Sequence, residues 1–389
     1  MLSDLSVLYL FLGGSGAGLC LVASIVSLLV PRSEISLPQA VGARASALRL
    51  GHLGRLCLRQ RSGLEKAVLF VDLRDPYRSL FLPSYLVAAA VLAVGCVCLL
   101  CDLGAPARIL LILTNPQPTF ITFGTVVLGG SLALSAVLAL MWAGAGRWRL
   151  GVARTVAVVA AAFSASTMGY TGLLLQSLAA VPLWASPWIP VLFFASAVSC
   201  GIGLMLGTAC LAGAQEAFDR LMRRLAVFDA AAAVVEAVAA SALVVAVCAT
   251  AGSSVADVLS PVAPVAPVEP QSIDSPSASS ASVTNPSADG DVPPDVADVS
   301  SETATDRAAV RSVRALLAGN VAPVFWGGFA CLGVALPLVL DAVMAAKRRA
   351  CPALAPIAQM TCVLCGALAM RWSVVQAGMH PVFAGAGAA

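Results

Sequence analysis

Eight runs of about twenty apolar residues dominate this chain, and a run of that length is what an α-helix needs to cross the hydrocarbon core of a bilayer. They lie at Ser6–Val30, Leu82–Leu100, Ile121–Gly144, Val152–Leu175, Ile189–Gly213, Phe228–Thr250, Val324–Ala345 and Ala355–Ala377. Lipid offers the backbone no hydrogen-bond partner, so each run must close its own bonds as a helix. Composition agrees: 59% of the 389 residues are hydrophobic and 11% charged, where soluble domains run near one quarter charged. The expected fold is an all-α integral membrane bundle of eight transmembrane helices. No Lys or Arg precedes the first run, and it exceeds the usual apolar core of a signal peptide, so it reads as a retained helix.

The basic residues orient the bundle. Nine Lys/Arg fall in the loop of residues 31–81: Arg32, Arg44, Arg49, Arg55, Arg59, Arg61, Lys66, Arg74 and Arg78. Further clusters follow the third, fifth and seventh runs, at Arg147 and Arg149, at Arg220, Arg223 and Arg224, and at Lys347, Arg348 and Arg349. The alternate loops hold only Arg108 and three arginines spread over a long insert. Basic loops stay cytoplasmic, so both termini are expected outside. Along the chain this gives a first helix (1–30), a basic cytoplasmic loop (31–81), helices two to six (82–250), an insert (251–320), and helices seven and eight with a short tail (321–389). Residues 44–66 read either as a basic amphipathic stretch on the membrane surface or as a solvated loop. The insert is rich in Ser, Pro, Val and Asp, with nine acidic residues from Asp257 to Asp306, and is expected to be disordered on the outer face. Membrane lipid is the expected environment, and no nucleic-acid partner is indicated.

Two histidines are present, His52 and His380, and neither lies in an apolar run. A membrane b-type haem takes axial ligands from helices inside the bundle, so no haem is expected, and no metal site is supported. Most of the twelve cysteines sit within or beside apolar runs, the Cys362–Cys365 pair included, and read as small buried hydrophobes.

Ionisable residues inside the runs are few, and each costs roughly 2.5–3.5 kcal/mol on insertion scales unless paired or hydrated. They are Asp102 at the outer end of the second run, Asp229 and Glu236 in the sixth, Asp341 at the inner end of the seventh, and Arg371 in the eighth. At about 1.5 Å per residue, Glu236 stands about 12 Å from the cytoplasmic start of its run and Arg371 about 24 Å along the eighth. Tyr170 reaches the outer half of the fourth run. The stretch Gly13, Gly14, Gly16 and Gly18 belongs to the outer half of the first, where glycines permit either close helix approach or room for a flat ligand. Thus the glycines, Asp102, Arg108, Tyr170 and Arg371 are expected in the outer half, and Glu236 and Asp341 in the inner half.

The ordered motifs resemble the polysulfide reductase NrfD family. Tyr9-Leu-Phe-Leu-Gly-Gly-Ser-Gly-Ala-Gly18 resembles its opening, and Asp102-Leu-Gly-Ala-Pro-Ala-Arg108 its D-L-G-R-P-x-R segment. Asn115-Pro, Thr122-Phe-Gly124, Gly169-Tyr-Thr-Gly-Leu-Leu-Leu175, Pro182-Leu-Trp184, Phe193-Phe and Ser199-Cys-Gly201 continue in register. Asp229 and Glu236 resemble an acidic pair of helix six, Phe325-Trp-Gly-Gly328 the start of helix seven, and Arg371 to Gly378 the R-Y-x-x-x-x-A-G of helix eight. Four departures stand out: Ala105 replaces an arginine, Trp372 replaces the tyrosine, the loop of residues 31–81 is longer than usual, and the acidic insert is foreign to the pattern.

The resemblance implies a prokaryotic plasma-membrane subunit that binds menaquinone or another quinone without haem, and that does not itself act on the terminal substrate. It implies an external ferredoxin-like iron–sulfur subunit and a catalytic subunit, molybdopterin or multihaem, as partners. Tyr170 and the helix-one stretch (Gly13, Gly14, Gly16) would line the quinone pocket with Arg371, while Asp102 and Arg108 would shape its mouth or the partner interface. Glu236, Asp229 and Asp341 would form a proton route from the cytoplasm. Two other classes fit the residues alone. A secondary transporter suits small-residue helices with buried acids, although no internal repeat is visible. An inert structural anchor would leave the polar residues as mere packing.

Overall fold

The computed structural model describes residues 4–30, 76–102, 120–144, 149–178, 180–215, 217–259, 294–346 and 354–386. The described residues are helical, and eight of their helices are long and apolar enough to cross a membrane. In chain order these are α1 (Asp4–Leu29), α2 (Pro76–Asp102), α3 (Phe120–Ala143), α4 (Leu150–Gln176), α5 (Trp188–Leu211) and α6 (Asp219–Thr250). A short α7 (Val255–Leu259) and α8 (Pro294–Leu317) follow. The seventh crossing is a π-helix, π1 (Val324–Ala335), running on into α9 (Leu336–Ala346), and α10 (Leu354–Ala386) contains the last. The chain is a multi-pass membrane protein. Arg108, His52 and the basic stretch of residues 44–66 lie outside the described residues.

Successive crossings run antiparallel, as cross-bundle bonds near each end require. Ser6 near the start of α1 donates to Asp102 at the end of α2 at 2.7 Å, and Ser84 near the start of α2 lies 3.3 Å from Thr208 near the end of α5. One end of the bundle therefore carries Asp4 and the other carries Asp219. At the Asp219 end, Arg154 donates to the Val30 carbonyl at the close of α1, and Arg78 donates to Ala143 O at the close of α3 at 3.0 Å. Both arginines satisfy carbonyls that a helix terminus leaves free, where a cation also complements the helix dipole.

Helices α1 and α5 form the centre, α1 packing on α2, α4, α5 and α10, and α5 on α4, α6 and α10 as well. Small residues dictate this. A Cβ on Gly18 would run into the Ala197 carbonyl, and one on Gly201 into the Gly18 backbone, so two backbones touch where a side chain would hold them apart. The turn after α5 closes on Gly213 (φ 69°), and Ala214 N–H bonds Ala209 O at 2.9 Å, a Schellman closure that needs the left-handed glycine.

The structure corrects two expectations. The insert, expected to be disordered across residues 251–320, contains α8, whose Ala309, Ser312, Val313 and Leu316 are buried against α10 and α6. The polar average of the segment hides an apolar stripe at helical spacing over its last three turns. The sixth crossing begins at Asp219, nine residues before the apolar run, because its first turns carry Arg220, Arg223 and Arg224 at the membrane edge. From that start Glu236 stands seventeen residues, about 25 Å, along α6.

Candidate functional site

Arg371 is the largest side chain among those fully buried, with 0% exposure. It stands 17 residues from the start of α10, and Glu236 stands 17 residues from the start of α6, so the two share a level about 25 Å from the Asp219 end. Glu236 is thus not an inner-half residue set apart from Arg371; it is the acid that faces it. The guanidinium Nη1 donates to Ser196 Oγ at 3.2 Å and to Ala367 O at 3.1 Å. Ser196 in turn faces the Glu236 carboxylate. Nε and Nη2 of Arg371 have no hydrogen-bond partner. Aromatic rings flank the cation, Phe193 at 5.2 Å and Phe11 at 5.9 Å from the guanidinium carbon, and both offer it cation–π contact. Cys200 and Ser15 complete the surroundings.

The helix-one glycines serve this packing. A Cβ on Gly14 would stand 2.9 Å from Arg371 Nη2, one on Gly16 would stand 2.8 Å from Leu92 Cγ, and one on Gly13 would touch Leu128 at 3.5 Å. Of the two roles open to these glycines, the structure realises close approach; neighbouring side chains already occupy the space beside them.

A second group of residues lies nearer the Asp4 end. Asp102 accepts the Ser6 hydroxyl at 2.7 Å, and Tyr9 lies within electrostatic reach of both Asp102 and Tyr170. The Tyr170 ring covers Gly124 of α3 so closely that a Cβ there would overlap it, and Phe123 meets the ring edge-on at 6.2 Å. Tyr170, grouped with Arg371 by the family resemblance, meets Tyr9, Phe123 and Gly124, whereas Arg371 meets Phe11, Phe193, Ser196 and Glu236.

A third group links four helices toward the Asp219 end. Ser199 on α5 donates to Asp229 Oδ1 at 2.6 Å. The Gln359 amide on α10 donates to Asp229 Oδ2 at 2.7 Å and to Asp341 Oδ2 at 3.0 Å. All four side chains are buried. Ser196 and Ser199, three residues apart, lie on one face of α5 and connect this group to Glu236 and Arg371. A cleft of about 30 Å³, lined by Gln215, Asp219, Arg223, Met344 and Pro356 among others, opens at the same end. Met344 and Pro356 sit one turn from Asp341 and Gln359.

Gln359 and Ser196 were missed by sequence reasoning, and Ser199 entered it only within a motif, without a role. A glutamine in an apolar run is a legible anomaly, but the serines look like any small helix-packing residue until their partners are known. Facing the bilayer, α4, α5 and α6 enclose an apolar groove of about 490 Å³, lined by Gly169, Pro190, Val191, Phe194, Ala195 and Ala232 among others. Its α5 wall is the reverse of the face that sets Phe193 and Ser196 on Arg371. Trp184 Nε1 donates to Val374 O at 3.0 Å and its ring covers Gly378, tying the α4–α5 connection to α10.

The family described as polysulphide reductase, NrfD, matches residues 74–262, and one described as polysulfide reductase matches residues 303–386. No curated protein matches the chain.

Proposed function

The chain belongs to the NrfD polysulphide reductase family, and from that premise we propose that it is the quinone-reactive membrane subunit of a respiratory oxidoreductase complex. The observation that carries this reading is Arg371 of α10: a cation wholly inside the bundle, with two N–H groups unpaired. A buried donor without a partner costs about 1–3 kcal/mol or more when charged, so a site that retains one is built to receive an acceptor. A quinone supplies two-electron, two-proton chemistry, and a quinone carbonyl oxygen is an acceptor that suits the unpaired guanidinium N–H groups. Tyr170, Tyr9 and Asp102 supply further polar groups toward the Asp4 end.

In this reading the Asp4 end and both termini face outward, as the arginines gathered at the Asp219 end favour. Electrons exchange there with an external iron–sulfur subunit, itself coupled to a catalytic subunit. Protons reach Glu236 from the cytoplasmic cleft by way of Asp341, Gln359, Asp229 and the two α5 serines. The chain's own part is to bind, to orient by Arg371, and to hold protons at carboxylate oxygens.

The test is titration of the purified chain with a fluorescent menaquinol-site inhibitor. Arg371→Met removes the unpaired donors and, in folded protein, should weaken saturable quenching by about tenfold or more, about 1.4 kcal/mol. Unchanged binding in that variant would remove Arg371 from the reading, and no saturable binding by folded wild type would leave an inert anchor.

A further inference from the structure

We infer that Gln359 is a positioning residue that holds one proton on Asp341, so that the Asp229–Asp341 pair rests with a single negative charge between them. The argument is one of unmatched acceptors. The Gln359 amide nitrogen has two hydrogens, and both are used, one on each aspartate. Its oxygen Oε1 and the second Asp341 oxygen, Oδ1, are each buried and lack a hydrogen-bond partner. Both are acceptors, so neither can satisfy the other unless one gains a hydrogen. An amide cannot take it near neutral pH; a carboxylate can. A proton on Asp341 Oδ1 turns that oxygen into a donor toward Gln359 Oε1, while Oδ2 still accepts the amide N–H. The result is the two-point pairing of a carboxylic acid with a primary amide, and both orphan atoms are satisfied at once.

Charge leads to the same state. Two carboxylates that share one amide nitrogen repel each other in an apolar interior, and a single proton removes that repulsion. Of the two, Asp229 is equipped to stay ionised, since it accepts from Ser199 at 2.6 Å and from Gln359 at 2.7 Å. Among the described residues, the charged groups on the packed helices do not offset a second negative charge, and Arg220 and Arg224 of α6 are exposed. Arg371 on α10 stands twelve residues beyond Gln359, about 18 Å of rise, and faces Glu236. Arg223 on α6 is held by Asp219 at 2.8 Å. The described residues of π1 and α9 carry no other ionisable group than Asp341 and Cys331. The protonation stands independently of quinone binding; that this proton feeds Glu236 rests on the function proposed above.

Infrared spectroscopy of the full chain in lipid at neutral pH reads the state directly. Wild type should show the C=O stretch of a protonated carboxyl that downshifts in D2O, disappears in Asp341→Asn and persists in Asp229→Asn. Gln359→Leu should move the same band to higher frequency, because its C=O loses the amide donor. Asp341→Asn keeps the side-chain shape, and a helical circular dichroism spectrum and monodisperse elution show that it folds. A wild-type spectrum in which Asp341→Asn removes no carboxyl band overturns the inference, as does a band that only Asp229→Asn removes. A band left at the same frequency by Gln359→Leu removes Gln359 from it.

Discussion

Gly18 and Gly129 sit in apolar helices of similar length, yet their surroundings are opposite. A Cβ on Gly18 would strike the Ala197 carbonyl, whereas one on Gly129 meets nothing within 4 Å. Gly18→Ala should therefore destabilise the chain by about 1–3 kcal/mol, since the obstacle is backbone and cannot rotate away. Gly129→Ala should be neutral or stabilise by up to about 1 kcal/mol, the ordinary gain of alanine over glycine in a helix. Thermal unfolding of the two variants in detergent checks both, and equal midpoints would refute the close approach of α1 and α5. At this scale the sequence is half legible. It shows which residues are chemically out of place in lipid, such as Arg371, Glu236 and Gln359. It does not show that Gly14 is small because Arg371 lies on it, for that depends on which helices meet.

At the scale of the element, helix lengths follow from bilayer thickness and all eight crossings are readable as apolar runs, whereas α8 is not. Its mean composition is polar, and only the stripe of Ala309, Val313 and Leu316 marks the face that docks. Val313 has 0% exposure, and Val313→Asp should undock the helix, since an unpaired carboxylate there has no partner. Arg307 and Arg311 are already exposed, so the measurement is the rate of tryptic cleavage within residues 305–317: slow in wild type, several-fold faster in the variant. Equal rates would mean that the docked face contributes nothing. The π-helix of the seventh crossing is likewise invisible in an apolar run. It coincides with Gly327, Gly328 and Gly333, and Gly333 lies against Gly366 of α10 with no space for a Cβ on either. The wider π-turn is the form in which this crossing meets its neighbour, and period alone does not distinguish it from an α-turn.

For the whole molecule, orientation can be tested with native and introduced thiols. Cys101 is exposed at the end of α2, at the Asp4 end. In a background otherwise free of cysteine, Cys101 should react with a membrane-impermeant maleimide in intact cells, while Arg224→Cys should react only after permeabilisation. The reverse pattern would invert the bundle and place the Gln359 group on the outside. What the sequence by itself determined is the solvent and the parts: lipid length and an unsatisfiable backbone require eight helices, while arginine asymmetry supplies only the expected direction that the thiol test checks. The ordered motifs carried the family resemblance as well. What only the tertiary structure decided is company. Arg371 and Glu236 come from helices 135 residues apart in the chain, and they share a level because α6 and α10 start at the same end of the bundle and each carries its ionisable group seventeen residues on. Asp229, Asp341 and Gln359 become one hydrogen-bonded unit because α6, α9 and α10 converge at the Asp219 end. Local rules of hydropathy and propensity carry no term for such meetings. They arise where glycine and serine let backbones close to contact distance, and the polar groups caught between them must then satisfy one another.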